Sequence, residues 1–250
     1  MVTLAALDHP DGDLLLRADS PATAKAEVVG YFRALRTGDA PGGGVSFYTE
    51  GGSNNFFGTG AGAANTGNYN SFFGGYAGNS NTEGYFNSFF GYAAGYANTA
   101  GYLNSFFGGY AGNSNTTGYS NSFFGGYAGY VNTTGFNNSF FGHRAGLSNT
   151  EGDFNSFFGH SAGESNTTGS DNAFFGDGAG FSNTIGAWNS FFGDSAGASN
   201  TTGVANSFVG GHAGTSNDTG AWNSFFGNSA GFSNTTGISN TFFGVVAGYS

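Results

Sequence analysis

Asn121-Ser122-Phe123-Phe124-Gly125-Gly126-Tyr127-Ala128-Gly129-Tyr130-Val131-Asn132-Thr133-Thr134-Gly135-Phe136-Asn137 runs straight into Asn138-Ser139-Phe140-Phe141-Gly142, where the same pattern restarts. The period is 17 residues, with the first Phe of each copy at 56, 72, 89, 106, 123, 140, 157, 174, 191, 208, 225 and 242. Only the first interval is shorter, by one residue, lost between Asn65-Thr66 and Gly67. A fixed period of this kind decides the architecture ahead of local propensity, because each unit must stack on its neighbours to bury an apolar face. It points to a repetitive structural array and away from a catalyst.

Numbering each copy from its first Phe separates fixed positions from free ones. Positions 1, 3, 6 and 7 are Phe, Gly, Ala and Gly, and positions 10, 13 and 16 are Asn, Gly and Asn. Position 2 is Phe except at Val209, and position 11 is Thr except at Asp218. The three Gly belong where a chain turns with positive φ or where backbones crowd. They divide the period into three short straight pieces, which suit one coil of a parallel β-solenoid rising about 4.8 Å per coil. Twelve coils would make a rod of roughly 55–60 Å. The Ala at position 6 marks an interior spot with room for a methyl. The two Asn columns are expected to form ladders, each amide bonding its copy in the next coil or capping a turn.

The adjacent Phe pair carries the strongest expectation. Neighbours in a strand point to opposite faces, so the two Phe cannot share a core. The Asn two residues before the first Phe lies on that Phe's face, which favours Phe123, Phe140 and Phe157 as the inward column. Phe124, Phe141 and Phe158 then form an outer stripe. At about 100 Å² per ring, twelve coils would expose more than 1,000 Å², beyond what a monomer usually shows. The stripe is therefore expected to bury itself against another copy of the chain, as a homotrimer or a filament.

Composition sharpens the class. Of 250 residues, 49 are Gly, 30 Phe and 13 Tyr, with only 8% charged. Low charge with abundant Gly, Asn and Ser suggests disorder, but so many aromatic residues at strict spacing argue for a packed array. The net charge is −10, and phosphate neutralisation needs Lys and Arg, so nucleic acid is not an expected partner. Without cysteine there are no disulfides or thiolate metal sites. No apolar run approaches a transmembrane length, so no membrane insertion is expected. Val2 to Leu7 is too short for a signal-peptide core and lacks a basic flank.

Residues 1–45 stand outside the period and form a first segment; the array occupies 46–250. Ala22 to Arg36 reads as helix, with Ser20 as N-cap and Pro21 in the first turn, or as strand. Val28, Val29, Tyr31 and Phe32 favour strand and Gly30 weakens a helix. Val45 to Thr49 reads as a strand leading into the array.

The unit N-S-F-F-G-x-x-A-G-x-x-N-T-x-G resembles repeats of bacterial and phage fibre proteins, often written N-T-F-I-G-x-x-A-G-x-x-N-T-T-G. In those proteins an endosialidase-type intramolecular chaperone commonly follows. The segment Ser20 to Gly30 resembles the stretch that often precedes such arrays, where it is sheet. More distantly, N-S-F-F-G is similar to the N-S-x-A-I-G repeat in the heads of trimeric autotransporter adhesins, which are trimeric left-handed β-rolls with a period nearer 14. The resemblance covers about four fifths of the chain. It implies an all-β, trimeric, extracellular fibre, at a cell surface or on a virion, with structural and adhesive work. No enzyme activity and no cofactor follow from it.

The outward positions offer candidates for recognition. Ten of the 13 Tyr lie between Tyr69 and Tyr130. Tyr76, Tyr92, Tyr110 and Tyr127 could stack on the apolar faces of cell-surface glycans, or serve as a packing surface between rods. His143 and His160 share position 4 with Asp177 and Asp194 in the next copies. Such a column can be drawn as a metal site, but polar residues on a wet surface explain it better. Seven N-x-S/T sequons begin at Asn115, Asn132, Asn137, Asn166, Asn200, Asn217 and Asn234, and an inward Asn could not carry a glycan. Other readings are an end-to-end filament, with residues 1–45 docking on the last coil, and a soluble sugar- or ice-binding solenoid using the Thr column.

Overall fold

Each copy of Ser-Phe-Phe forms one three-residue strand, and successive strands pair in parallel without slipping. In Ser139–Phe141 and the strand before it, Ser122 faces Ser139, Phe123 faces Phe140 and Phe124 faces Phe141. The computed structural model describes residues 47–48 and 54–249. Strand β1 is Phe47–Tyr48, and β2 (Asn55–Phe57) to β13 (Thr241–Phe243) are the twelve repeat strands, in one sheet in sequence order. Eleven full turns separate the first repeat strand from the last. This is an all-β parallel solenoid, with no helix among the described residues. Of the expected leading strand, Phe47–Tyr48 is seen, pairing antiparallel with β2. The expectations for residues 1–45, strand, helix or docking segment, lie outside the described residues.

The core is one ring wide. Every first-column Phe from Phe72 to Phe225 is fully buried, as is the Ala column from Ala77 to Ala230, apart from Ala93's separate place at position 5. Adjacent inward rings lie parallel, with centroids 4.8 Å apart for Phe106–Phe123 and Phe123–Phe140. Burying such a side chain contributes about 1.5–3 kcal/mol, and offset stacking adds to it.

Both Asn columns are buried with the Phe, and each is satisfied. At position 10, Asn132 Nδ2 donates to Asn115 Oδ1 at 2.8 Å and to its own coil's Gly135 carbonyl at 3.0 Å. At position 16, Asn138 Nδ2 donates to the Gly152 carbonyl of the next coil at 2.8 Å. The backbone N–H of Asn138 donates to Asn121 Oδ1 at 3.0 Å. Among the described residues no buried side-chain nitrogen or oxygen lacks a partner. Polar groups inside so narrow a core are tolerable only on that condition.

One expectation about the backbone needs correcting. The coil is not three straight pieces: one three-residue strand is followed by turns. Those turns still bond from coil to coil. Gly129 N–H donates to Ala145 at 3.0 Å, Val131 to Leu147 at 3.0 Å, and Tyr127 back to Gly109 at 3.0 Å. The three Gly divide, as expected, between crowding and positive φ. Those at positions 3 and 7 have it, as in Gly125 (143°) and Gly129 (57°). Position 13 does not, and is Gly for want of space: a Cβ on Gly135 would lie 2.5 Å from Asn132 Oδ1 and 2.6 Å from the Gly152 carbonyl oxygen.

Position 7 is doubly constrained. Gly112 has φ +56°, and a Cβ there would come 2.5 Å from Cε2 of Phe106. Gly109, three residues earlier, has nothing within 4 Å of the same construction. Gly112→Ala is expected to cost about 1–3 kcal/mol or more through strain and overpacking, whereas Gly109→Ala should leave stability within about 0.5 kcal/mol. Thermal unfolding of the two variants side by side measures the difference.

Candidate functional site

Three aromatic surfaces run along the rod, built from different repeat positions. The first is the position-2 column. Strand alternation turns these rings away from the core, and they stack on one another: Phe107–Phe124, Phe124–Phe141 and Phe141–Phe158 have centroids 4.7, 4.7 and 4.6 Å apart. Stacking covers both faces of each ring and leaves its edge to solvent. Phe124, Phe141 and Phe158 are half-buried, while Phe73, Phe192, Val209 and Phe226 are 37–40% exposed. The exposed stripe is thus smaller than the sequence suggests, at roughly 50–70 Å² per ring and on the order of 600 Å² in all. That is still at the upper end of the largest patch on an ordinary monomer. Phe123, Phe140 and Phe157 lie inward, fully buried.

The second surface is a tyrosine cluster. Tyr76, Tyr92, Tyr110 and Tyr127 come together as one continuous group. Tyr76 meets Tyr92 edge-on at 5.9 Å, Tyr92 meets Tyr110 edge-on at 5.3 Å, and Tyr110 stacks on Tyr127 at 5.1 Å. Tyr96 and Tyr130 complete it, at 6.5 Å from Tyr76 and 6.3 Å from Tyr110. The sequence reading did not single these two out. Their signal is a separation of 20 residues, which brings position 5 beside position 8 of the following coil. The same contact recurs where Arg144 Nη2 meets Glu164 Oε1 at 2.7 Å. Crowding raises the Tyr110 phenol above its ordinary value, through desolvation first and then through Tyr92, Tyr127 and Tyr130.

A further column, Tyr85, Tyr102, Tyr119 and Phe136 at position 14, also escaped the sequence reading as a unit. Its rings are flat on one another at 4.8–5.0 Å. In such a stack the ring faces are hidden, so a sugar could not lie on them. In the Tyr76–Tyr130 cluster only Tyr110 and Tyr127 stack flat, and the edge-on pairs cover fewer ring faces.

Beyond Tyr130 the same surface turns polar. Tyr127 meets His143 edge-on at 6.2 Å, and His143 stacks on His160 at 5.6 Å. His160 Nδ1 lies 2.9 Å from Asp177 Oδ1, and His212 Nε2 lies 3.6 Å from Asp194 Oδ2. These are exposed pairs. No group of three or more His, Cys, Asp or Glu converges on a metal position among the described residues.

Five sequon Asn, at 115, 132, 166, 200 and 217, are fully buried in the amide ladder, and only Asn137 is exposed. The Thr column turns its hydroxyls into the stack, Thr133 Oγ1 donating to the Thr150 carbonyl at 3.0 Å. Ordered outward donors of the kind an ice face needs are therefore not presented by that column. No helix among the described residues is long and apolar enough to cross a membrane.

No protein-family model matches the chain, and comparisons with curated proteins and with solved structures found no significant match.

The Asp153 carboxyl is displaced from ordinary behaviour. It follows Phe136 in the position-14 column, and its Oδ1 accepts the Phe136 N–H at 2.9 Å. Desolvation raises its pKa, the N–H bond opposes the rise, and Asp171 and Glu151 add to it. A raised carboxyl pKa means stability present at acid pH that is lost as pH climbs from 3.8 through the folded value. Asp153→Asn keeps the acceptor and removes the charge, so it should raise the melting temperature at pH 7. Near pH 3 the gain should vanish. Melting curves at the two pH values decide it.

Proposed function

We propose that this chain is a structural and adhesive segment of an extracellular fibre, assembled by lateral association of identical chains, most economically as a trimer. The observation carrying this reading is the ordered, part-exposed Phe column at position 2. A stripe of about 600 Å², with the Ser and Gly backbone beside it, approaches the roughly 800 Å² that each partner gives to a standard interface. Three in-register rods can bring their columns together on one axis, each ring edge meeting its counterparts in every coil. The sequence resemblance to phage and bacterial fibres and to trimeric adhesin heads supports the same arrangement. Adhesion is assigned to the tyrosine cluster, whose open ring faces suit the apolar faces of cell-surface sugars.

The two Phe columns give the decisive comparison. Phe140→Ala removes a fully buried ring and should cost about 3–5 kcal/mol, lowering the melting temperature at every protein concentration. Phe141→Ala should act on association, and a loss repeated in each chain should make unfolding more concentration-dependent and shift the native mass downward. Native mass spectrometry and melting at several concentrations separate the two. A wild-type chain that stays monomeric at high concentration would overturn the assembly.

The adhesive surface has its own test. Position 5 has positive φ whatever occupies it, including Ser161, Ser195 and Ser229 at 53–54°. Ser is thus already accommodated there. Replacing Tyr76, Tyr110 and Tyr127 with Ser should leave melting close to wild type while weakening glycan-array or cell binding at least several-fold. Loss of folding would instead make those rings packing residues.

A further inference from the structure

The residue missing from the first coil leaves a concave site beside its shortened turn. In a regular coil the N–H groups of positions 11, 12 and 13 converge on one Thr carbonyl of the next coil: Thr133, Thr134 and Gly135 donate to Thr150 at 3.0, 3.2 and 3.3 Å. The first coil lacks position 12, and Thr66 N–H donates to Thr82 at 2.8 Å over a shortened turn. The residue that would cover position 12 of the second coil is therefore missing. That uncovered residue is Glu83. A cavity of about 310 Å³ opens there, lined by the Thr66–Tyr69 turn and by Glu83, Tyr85 and Phe86.

Its walls are aromatic. Tyr69 and Phe86 lie parallel at 4.8 Å, and Tyr85 stands at 72° to Phe86 with centroids 5.7 Å apart. All three are exposed, at 41–56%. The chemistry of the rim is equally particular. Glu83 is the only Asp, Glu, Lys or Arg between residues 51 and 143. No ion pair or side-chain hydrogen bond engages its carboxylate among the described residues. Its backbone is held, with Glu83 N–H donating to Thr99 at 3.0 Å. Tyr69 and Phe86 cover one another's inner faces, but Tyr85 is the first ring of its column and is stacked on one side only, by Tyr102. A ring face left open beside one uncompensated carboxylate is what a weakly hydrated organic cation requires.

We propose that this cavity binds an organic cation of the quaternary-ammonium class, held on the open face of Tyr85, flanked by Tyr69 and Phe86, and neutralised by Glu83. The site uses repeat positions 11 to 15, and it stands whether or not chains associate through the second Phe column. A cavity of this volume is at the lower limit for small-molecule sites and suits a trimethylammonium group with a short substituent.

The test is calorimetric titration of the full chain with choline, with its neutral isostere 3,3-dimethylbutan-1-ol, and with methyl β-glucopyranoside. Choline should saturate in the millimolar range or tighter, about fivefold or more ahead of the isostere. Glu83→Gln should erase about fivefold of that affinity. The variant is expected to fold, because position 12 is Thr, Ala or Ile in every other copy that has it except at Glu151. Inserting Thr between Thr66 and Gly67 restores the Thr-Thr-Gly of Thr116 to Gly118, and should abolish binding while leaving the melting temperature unchanged or raised. Equal affinity for the isostere, indifference to Glu83→Gln, preference for the glucoside, or no saturation by about 20 mM choline would each overturn the proposal.

Discussion

An asparagine amide bonded to its own copy one coil away sets the terms for the whole rod. Asn132 can reach both Asn115 Oδ1 and the Gly135 carbonyl only if the coils are held in one register. A slip would leave a buried amide and a buried carbonyl unpaired in every coil, at about 1–3 kcal/mol each. The Phe column prefers the same stacking but would tolerate sliding, since dispersion is not directional. The amides are directional. The first coil shows which features may vary: its missing residue falls between the two Asn columns. Asn81 Nδ2 still reaches Asn65 Oδ1 at 2.5 Å, and Asn70 N–H still reaches Asn54 Oδ1 at 2.8 Å. Length is free in the turn, and the ladders are not disturbed.

The ladders also explain the least expected feature of the backbone. Positions 5 and 15 have positive φ in coil after coil, and their occupants include Tyr76, Phe86, Arg144, Trp188, Trp222 and Val246. For such side chains the left-handed region costs on the order of 1 kcal/mol or more each. The return is in hydrogen-bond direction. Gly129 and Val131 donate forward to the next coil, while Tyr127 and Asn137 donate back to Gly109 and Tyr119. Reversing the peptide at two places lets a coil made mostly of turns bond to both neighbours, and the strand alone could not supply enough bonds.

That division marks how far the sequence could be read. The period, the inward Phe, the buried Ala and the two amide columns were legible because each position demands one residue type. The ligand and residues 1–45 had no such internal repetition behind them. The left-handed positions were illegible for a different reason. Side chains there point away from the core, so the array places no common demand on them. The only traces are Gly60 and Gly178 at position 5, and Asn137 and Asp171 at position 15. The tyrosine cluster was half legible. Its members were visible as a belt, but the contact between position 5 and position 8 of the next coil depends on how the turn folds back.

Stacking at about 4.8 Å also governs the charges. Two like charges in one column of adjacent coils would repel by about 1 kcal/mol even in water, so carboxylates cannot be repeated as Phe and Asn are. Glu151, Asp153, Glu164, Asp171 and Asp218 accordingly occupy different positions of the repeat. Glu164 faces Arg144, and Asp153, with Asp171 and Glu151 close by, is the carboxylate whose pKa rises. The exception is Asp177 above Asp194 at position 4, and there His160 and His212 stand on either side, one against each carboxylate. An aromatic column can run the length of the rod because stacking rewards repetition, whereas a charged column must be interrupted or compensated. The rod therefore carries a tyrosine-rich, nearly uncharged half followed by an acidic half.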